Sequence, residues 1–308
     1  MTSAIITVTQ GDFLYIDEWI TYHHNIGIDL FCIGYNGKTQ DFNKLPKYDY
    51  VKYFDFSTND LEIFNEFNCT ISKRRWSSIW GGCIYIMNNY IKIFCKEYIK
   101  YIAIIDTDEF ISPQEDFTNI TEYLDNIYDQ SLPTEYIHMQ FYNGNNQIYY
   151  ENKPVLERFT KTINPNNFIG DGKIGGFKKS ILNAQHIDYE HILDNGFGFH
   201  ENSYSQPENN LLFNKIVLKH FVCKSLEEWI MKFSPKYDRN YCQRFTGEFL
   251  SGWGSYFYGY LNNDPTIDVL QAIPKLLKKY NIDYKPEIEE KNEEFKFLYK
   301  NANNIKNE

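Results

Sequence analysis

The sequence predicts an α/β protein with a mixed, mainly parallel sheet flanked by helices. Three observations lead there. The chain opens as an apolar strand, an amphipathic helix and a second apolar strand, the order that begins a parallel α/β unit. A later apolar strand, in YIAIIDTDEF (Tyr101 to Phe110), ends in a run of acidic residues, and open α/β sheets bind ligands at the carboxyl ends of their strands. With 43% hydrophobic and 18% aromatic residues over 308 positions, the chain can also fill a large core.

Ala4 to Val8 is the first strand. In EWITYHHNIG, Trp19, Tyr22, His23 and Ile26 recur at helical spacing and share a face. Asp29 to Tyr35 is the second strand, closed by Asn36 and Gly37, and Val51 to Phe56 is the third. A short helix is expected over Asp60 to Phe67. Ile84, Met87, Ile91, Phe94 and Tyr98 step by three and four, which predicts an amphipathic helix packed on the sheet. Upstream of it, Lys73, Arg74 and Arg75 read first as a solvated helix start and second as a phosphate contact.

Phe117 to Tyr128 is a helix broken by Pro133, and Glu135 to Tyr142 alternates as a strand. Segments rich in Asn, Gly and aromatic residues follow, through Asn164 to Gly176 and Gly196 to Tyr204, and have the character of binding loops. Ile216 to Val222 is a late strand carrying His220. Ser225 and Glu228 form an S-x-x-E capping box that opens a helix through Trp229, Ile230 and Phe233. A last amphipathic helix covers Asp268 to Tyr280, and the Glu- and Lys-rich tail from Pro286 is expected to be mobile.

The chemistry concentrates at Asp106, Thr107, Asp108 and Glu109, ahead of a proline loop at Ser112 and Pro113. Strand alternation would turn Asp106 and Asp108 to one side, and Thr107 and Glu109 to the other. Two neighbouring carboxylates repel unless a cation lies between them, so the pattern suits a divalent metal and a phosphorylated ligand. A plain acidic turn is the alternative that this stretch alone leaves open. On the same alternation Glu109 faces away from the metal, where it would anchor a loop or line an acceptor.

The formal net charge of −10 argues against a general nucleic-acid binder. Six cysteines, at 32, 69, 83, 95, 223 and 242, are scattered without a CxxC pair, which points to buried reduced thiols and a cytoplasmic, reducing setting. No apolar run approaches membrane-spanning length, and AIITVT is not a leader pattern, so a soluble chain is expected.

Three blocks, DEWITYHHNIGIDLFCIGYNG, YIAIIDTDEFISP and KHFVCKSLEEWIMK, resemble in this order and spacing the signature blocks of the glycosyltransferase family 2-like and family 92 group, whose members have the GT-A fold. The resemblance implies transfer of a sugar from a nucleotide diphosphate donor, UDP-linked by expectation, to a carbohydrate or other hydroxyl acceptor with inversion. It implies Mn²⁺ or Mg²⁺ as cofactor. Asp108 would be the direct metal ligand, Asp106 would meet the ribose or reach the metal through water, and His220 would complete the shell. Arg158 in LERF and Lys179 beside Lys178 in GFKKS resemble positive positions that serve the leaving diphosphate.

An inverting transfer needs a general base near the acceptor hydroxyl. Asp171, Asp188, Glu190, His191, Asp194, His200 and Glu201 are available. Asp194 and His191 are preferred, because HILDNG sits in a Gly-bounded loop ahead of an aromatic stretch. The chain departs from its relatives after the first strand, where Thr9, Gln10, Gly11 and Asp12 replace a Lys-Asn-Glu stretch.

The expected organisation is a GT-A-like catalytic domain over 1–240, with a nucleotide-sugar half at 1–112 and an acceptor half at 113–240, followed by a helical extension over 241–308. A metal-dependent nucleotide-sugar hydrolase or phosphoryl-transfer enzyme, and an inactive carbohydrate-binding relative, are the competing readings.

Overall fold

A computed structural model of the chain describes residues 2–10, 12–57, 87, 90–95, 97–117, 119–162, 178–186, 215–221, 224–232 and 267–281. The chain divides into two compact units, Met1–Met139 with Gly175–Lys219 and Gln140–Ile174 with His220–Glu308. Strands that begin in the first unit run out of it at Met139 and Lys219, so the chain changes unit in mid-strand rather than at a linker.

The first unit is built on strands β1 (Thr2–Thr9), β2 (Ile28–Tyr35), β3 (Val51–Asp55), β4 (Ile99–Ile104), β5 (Glu109–Pro113), β6 (Thr134–Phe141), β7 (Lys178–Asn183) and β8 (Ile216–His220). Their order is β3-β2-β1-β4-β7-β6-β8-β5. The β3-β2, β2-β1 and β1-β4 pairs are parallel, whereas β7 runs antiparallel to β4 and β6. The α/β architecture with a mixed, mainly parallel sheet is the expected one.

A central parallel strand is buried on both faces and therefore reads as a continuous run. β1 obeys this: Ala4, Ile6 and Val8 join Cys32, Phe54, Ile102, Ile104, Met87 and Ile91 in one core cluster. On the opposite face Ser3 Oγ meets Thr121 Oγ1 at 2.6 Å. Thr121 belongs to α2 (Ile120–Ile127), and α1 (Ile16–Asn25) buries Ile16, Trp19, Ile20 and His23. Asn119 caps α2 by accepting from the Thr121 N–H at 2.8 Å. That cap fits because Gly27, with φ +100°, has no Cβ, which would fall 2.4 Å from the Asn119 amide.

Two expectations change here. Ser112 and Pro113 do not form a loop but end β5, with Phe110 and Ile111 buried; proline is tolerated there because it closes the strand. The helix expected over 84–98 is described in part, and Ile91–Cys95 is a π-turn. Its i→i+5 bonding breaks the three-and-four stepping, and Phe94 and Tyr98, expected on the buried face, are 59% and 66% exposed. The helix expected over Asp60 to Phe67, the Lys73–Arg75 cluster and the tail from Pro286 lie outside the described residues.

In the second unit, α3 (Val155–Arg158), α4 (Leu226–Lys232) and α5 (Ile267–Lys279) surround the loop after β6. The expected capping box is realised. Glu228 Oε2 accepts from the Ser225 N–H at 3.0 Å and from the Ser225 hydroxyl, while Ser225 Oγ accepts the Glu228 N–H at 3.3 Å. The next two N–H groups of α4, from Leu226 and Glu227, bond the carbonyls of Gln147 and Ile148 at 3.0 and 2.9 Å. The loop can approach this closely because Gly144 lacks a Cβ, which would lie 2.4 Å from the Lys224 carbonyl oxygen. Among the described residues no helix is long and apolar enough to cross a membrane.

Candidate active site

β1 and β4 run side by side in parallel; β4 stops at Ile104, opposite Ile6, while β1 continues to Thr9, and the acidic residues follow just after β4. The strand stops at Ile104, so Asp106 to Glu109 do not alternate as strand residues. They form a tight turn, closed by the Glu109 N–H on the Asp106 carbonyl at 3.1 Å. The expectation that pleat alternation sets Asp106 and Asp108 on one side is thereby replaced by turn geometry.

Glu109 anchors this turn. Its carboxylate Oε2 accepts the Asp106 N–H at 2.8 Å, and the residue is fully buried. The charge is balanced by Lys179. Continuing the antiparallel register of β4 and β7, in which Ala103 pairs with Ile181, brings Lys179 level with the end of β4. Its Nζ lies 2.8 Å from Asp106 Oδ2 and 3.4 Å from Glu109 Oε1, with 1% of its side chain exposed. Burial alone would push this ammonium down; the two carboxylates outweigh burial and hold it above the usual lysine value.

Asp12, on the loop after β1, holds the tip of the turn. Its Oδ2 accepts from Thr107 Oγ1 at 2.8 Å and from Thr9 Oγ1 at 3.0 Å. Thr9 and Asp12 thus tie the β1 loop to the acidic turn. The sequence held no local sign of this, because Asp12 and Thr107 are 95 positions apart.

Helix α1 fixes β5, the strand that leaves the turn. Trp19 Nε1 donates to the Glu109 carbonyl at 2.7 Å and the Tyr22 hydroxyl to the Ile111 carbonyl at 2.8 Å. The Ile111 N–H donates to His23 Nε2 at 3.1 Å, and the other ring nitrogen, Nδ1, faces the Trp19 carbonyl at 2.8 Å. Nε2 is therefore an acceptor and Nδ1 carries the proton, so His23 is neutral. The helical face expected from Trp19, Tyr22 and His23 supplies backbone partners to a strand as well as apolar surface.

Burial holds the His23 pKa down to about 3 from an ordinary 6.5, against a smaller opposing contribution from the Trp19 carbonyl. A histidine kept neutral in the folded state and free to protonate when unfolded stabilises fully above 6.5 and progressively less as pH falls toward 3. Stability is expected to drop by up to about 1.4 kcal/mol per pH unit below 6.5 from this residue alone. Urea unfolding between pH 6.5 and 5, above the main carboxylate range, measures it; His23→Gln should flatten the slope over that interval.

The other expected site residues fall as follows. Asp108 is partly buried on the turn. Arg158, expected at the diphosphate, is engaged in the second unit: Nη1 and Nη2 donate to Glu228 at 2.8 and 2.9 Å, with side chains 2% and 1% exposed. Buried in a bidentate pair, its guanidinium is a fold element there. His220, expected as a metal ligand, ends β8 with its ring 5.0 Å from that of Phe141. Among the described residues no three His, Cys, Asp or Glu side chains are grouped to hold a metal. Asp194 and His191 lie outside the described residues.

The carboxylates of the acidic turn are of a kind that fits a cation shared with a phosphorylated ligand. Mg²⁺-type sites use one or two carboxylates plus phosphate oxygens and water rather than an all-protein cage. Asp108 and Asp106 Oδ1, the oxygen not taken by Lys179, are hard donors of that kind.

The sequence pattern of glycosyltransferase family 92 matches residues 92–242, just under half of the chain. Residues 92–242 are thus similar to glycosyltransferase family 92. The matched stretch contains Asp106, Asp108, Glu109, Arg158, Lys179, His191, Asp194 and His220. No curated protein matches the chain.

Among solved structures, similar chains include the mannosyltransferase Ktr4p from S. cerevisiae, at 13% identity and TM-score 0.22 over 45% of this chain and 39% of that one. The galactosyltransferase LgtC, solved with donor and acceptor sugar analogues, is 12% identical with TM-score 0.25 over 68% and 69% of the two chains. Mouse xyloside xylosyltransferase 1, in its apo form, is 12% identical with TM-score 0.27 over 85% and 93%. The chain thus spans 39% of the length of the yeast enzyme's chain.

Proposed function

We propose that the protein transfers a sugar from a nucleotide diphosphate sugar, UDP-linked by expectation, to a hydroxyl of a glycan or other acceptor, with inversion. The observation that carries this reading is the acidic turn Asp106–Glu109, which follows the end of β4 beside parallel β1, inside the stretch similar to glycosyltransferase family 92.

A leaving nucleoside diphosphate accumulates negative charge as the glycosidic bond breaks, and an active site must offset it. Mn²⁺ or Mg²⁺, held by Asp108 with Asp106 reaching it through water or binding the ribose, would supply Lewis-acid charge at that diphosphate. The chain's own residues do the rest. Asp12 fixes Thr107, Glu109 fixes the Asp106 backbone, and α1 fixes β5, so the carboxylates meet the donor already oriented. Asp194 or His191 takes the acceptor proton as the new bond forms.

A thermal-shift panel of nucleotide sugars with and without Mn²⁺ tests the reading, since a ligand that binds only the folded state raises its melting temperature by mass action. One UDP- or GDP-sugar is expected to stabilise the protein, more so with Mn²⁺. No stabilisation by any of them would overturn donor binding. Free sugar released at a rate indifferent to acceptor would assign hydrolysis instead.

A further inference from the structure

We infer that Lys179 is a built-in counter-ion that competes with the divalent cation for the acidic turn, so that the nucleotide-free protein binds cation weakly and gains affinity when a nucleoside diphosphate brings its own oxygens. This rests on the cation reading proposed above.

Four residues carry three carboxylates, at Asp106, Asp108 and Glu109. In a site whose charge was balanced by a metal alone, these groups would repel one another whenever the metal left. Here one positive charge is permanent. The Lys179 ammonium lies within 2.8 Å of Asp106 and 3.4 Å of Glu109 and is closed off from water, with 1% of its side chain exposed. An ammonium buried this far is costly to strip of its partners, so the pair persists rather than opening for an incoming ion.

The same contacts set the direction of Asp106. Its Oδ2 is taken by Lys179, and its backbone N–H is taken by Glu109 Oε2. A dication placed directly on this carboxylate would stand close to a fixed ammonium, and like charges at that range disfavour each other. In the cation reading proposed above the direct carboxylate is Asp108, and a single carboxylate holds Mn²⁺ or Mg²⁺ only weakly until phosphate oxygens join it. Lys179 is therefore a positioning residue: it keeps the turn folded without metal and couples cation binding to donor binding. Such coupling is reciprocal, so the cation must tighten the nucleotide by the same factor.

The test is Mn²⁺ uptake by the full chain, read from the electron paramagnetic resonance signal of unbound Mn²⁺. Wild type, Lys179→Met and Asp108→Asn are compared alone and with UDP or GDP, corrected for the nucleotide–Mn²⁺ complex. Wild type is expected to bind Mn²⁺ at least about tenfold more tightly with nucleotide than without, and Lys179→Met to bind it about tenfold more tightly than wild type when nucleotide is absent, which narrows the gap.

If Lys179→Met binds Mn²⁺ as wild type does, with the same gap, while Asp108→Asn loses it, the counter-ion inference is overturned and the cation reading stands. If wild type takes up no Mn²⁺ even with nucleotide, both fall. Should Lys179→Met not fold, Lys179→Gln, which keeps an N–H donor for Asp106 and removes the charge, takes its place: tighter Mn²⁺ binding than wild type without nucleotide supports the inference, and wild-type affinity overturns it.

Discussion

Asp108→Asn is expected to lower sugar transfer on the order of 10²- to 10³-fold, the scale seen when one preorganised contact to developing charge is removed. The fold should survive. Asp108 is partly buried at the tip of a turn that is held elsewhere, by Glu109 on the Asp106 backbone, by Lys179 between two carboxylates and by Asp12 on Thr107. Asparagine keeps the shape and removes one of three crowded negative charges, so the melting temperature should stay within about 2 °C of wild type.

Asp106→Asn is the informative contrast. It leaves the buried Lys179 ammonium with Glu109 as its remaining ion-pair partner among the described contacts, so stability should fall along with activity. Initial rates over a grid of Mn²⁺ and donor concentrations, together with melting curves, separate the two. Undiminished transfer by Asp108→Asn at all Mn²⁺ concentrations would remove Asp108 from the site.

The parts of this site that were legible in the sequence are those whose cause is local. β1, α1, β2 and β3 announce themselves through apolar periodicity within each segment, and the Ser225–Glu228 box lies within four residues. The acidic turn was visible as a string, but its geometry was not. Alternation holds only while a strand continues, and β4 ends two residues before Asp106. β5 was missed because a strand closing on Pro113 resembles a loop, and its backbone is satisfied partly by Trp19, Tyr22 and His23 from 88 to 90 positions away.

β7 was missed for a related reason. Two lysines at the start of a segment read as surface, yet Lys179 is buried because its carboxylate partner stands 73 positions earlier. A lysine followed closely by the adjacent apolar pair Ile181 and Leu182 is the signal that could have raised the question, since a charge entering a central strand requires an opposite one. Arg158 is the reverse case: its charge suggests a ligand contact, and the partner it has in the structure, Glu228, stands 70 positions later.

That pair gives the largest stability effect expected in the second unit. Glu228→Ala should destabilise it by about 3–5 kcal/mol, because it leaves a buried arginine without its counter-charge. Glu228 accepts both Arg158 Nη groups and also the Ser225 N–H and hydroxyl, so one carboxylate closes the ion pair and the helix cap together. Arg158→Met should cost less, since the Glu228 carboxylate keeps its cap donors and the methionine stem can fill the space beside Tyr150 and Phe159, whose rings the guanidinium now faces at 5.4 and 4.6 Å. The double variant Arg158→Met/Glu228→Gln removes both charges while the glutamine amide oxygen can still cap Ser225, and it should be more stable than Glu228→Ala alone. Urea unfolding at neutral pH, followed by far-UV circular dichroism, orders the three. If Glu228→Ala unfolds at the wild-type urea midpoint, the guanidinium is reached by water in solution and the pair does not hold the α3–α4 packing; if the double variant is the least stable of the three, the charges themselves stabilise the unit and the desolvation cost is smaller than the burial of both side chains implies.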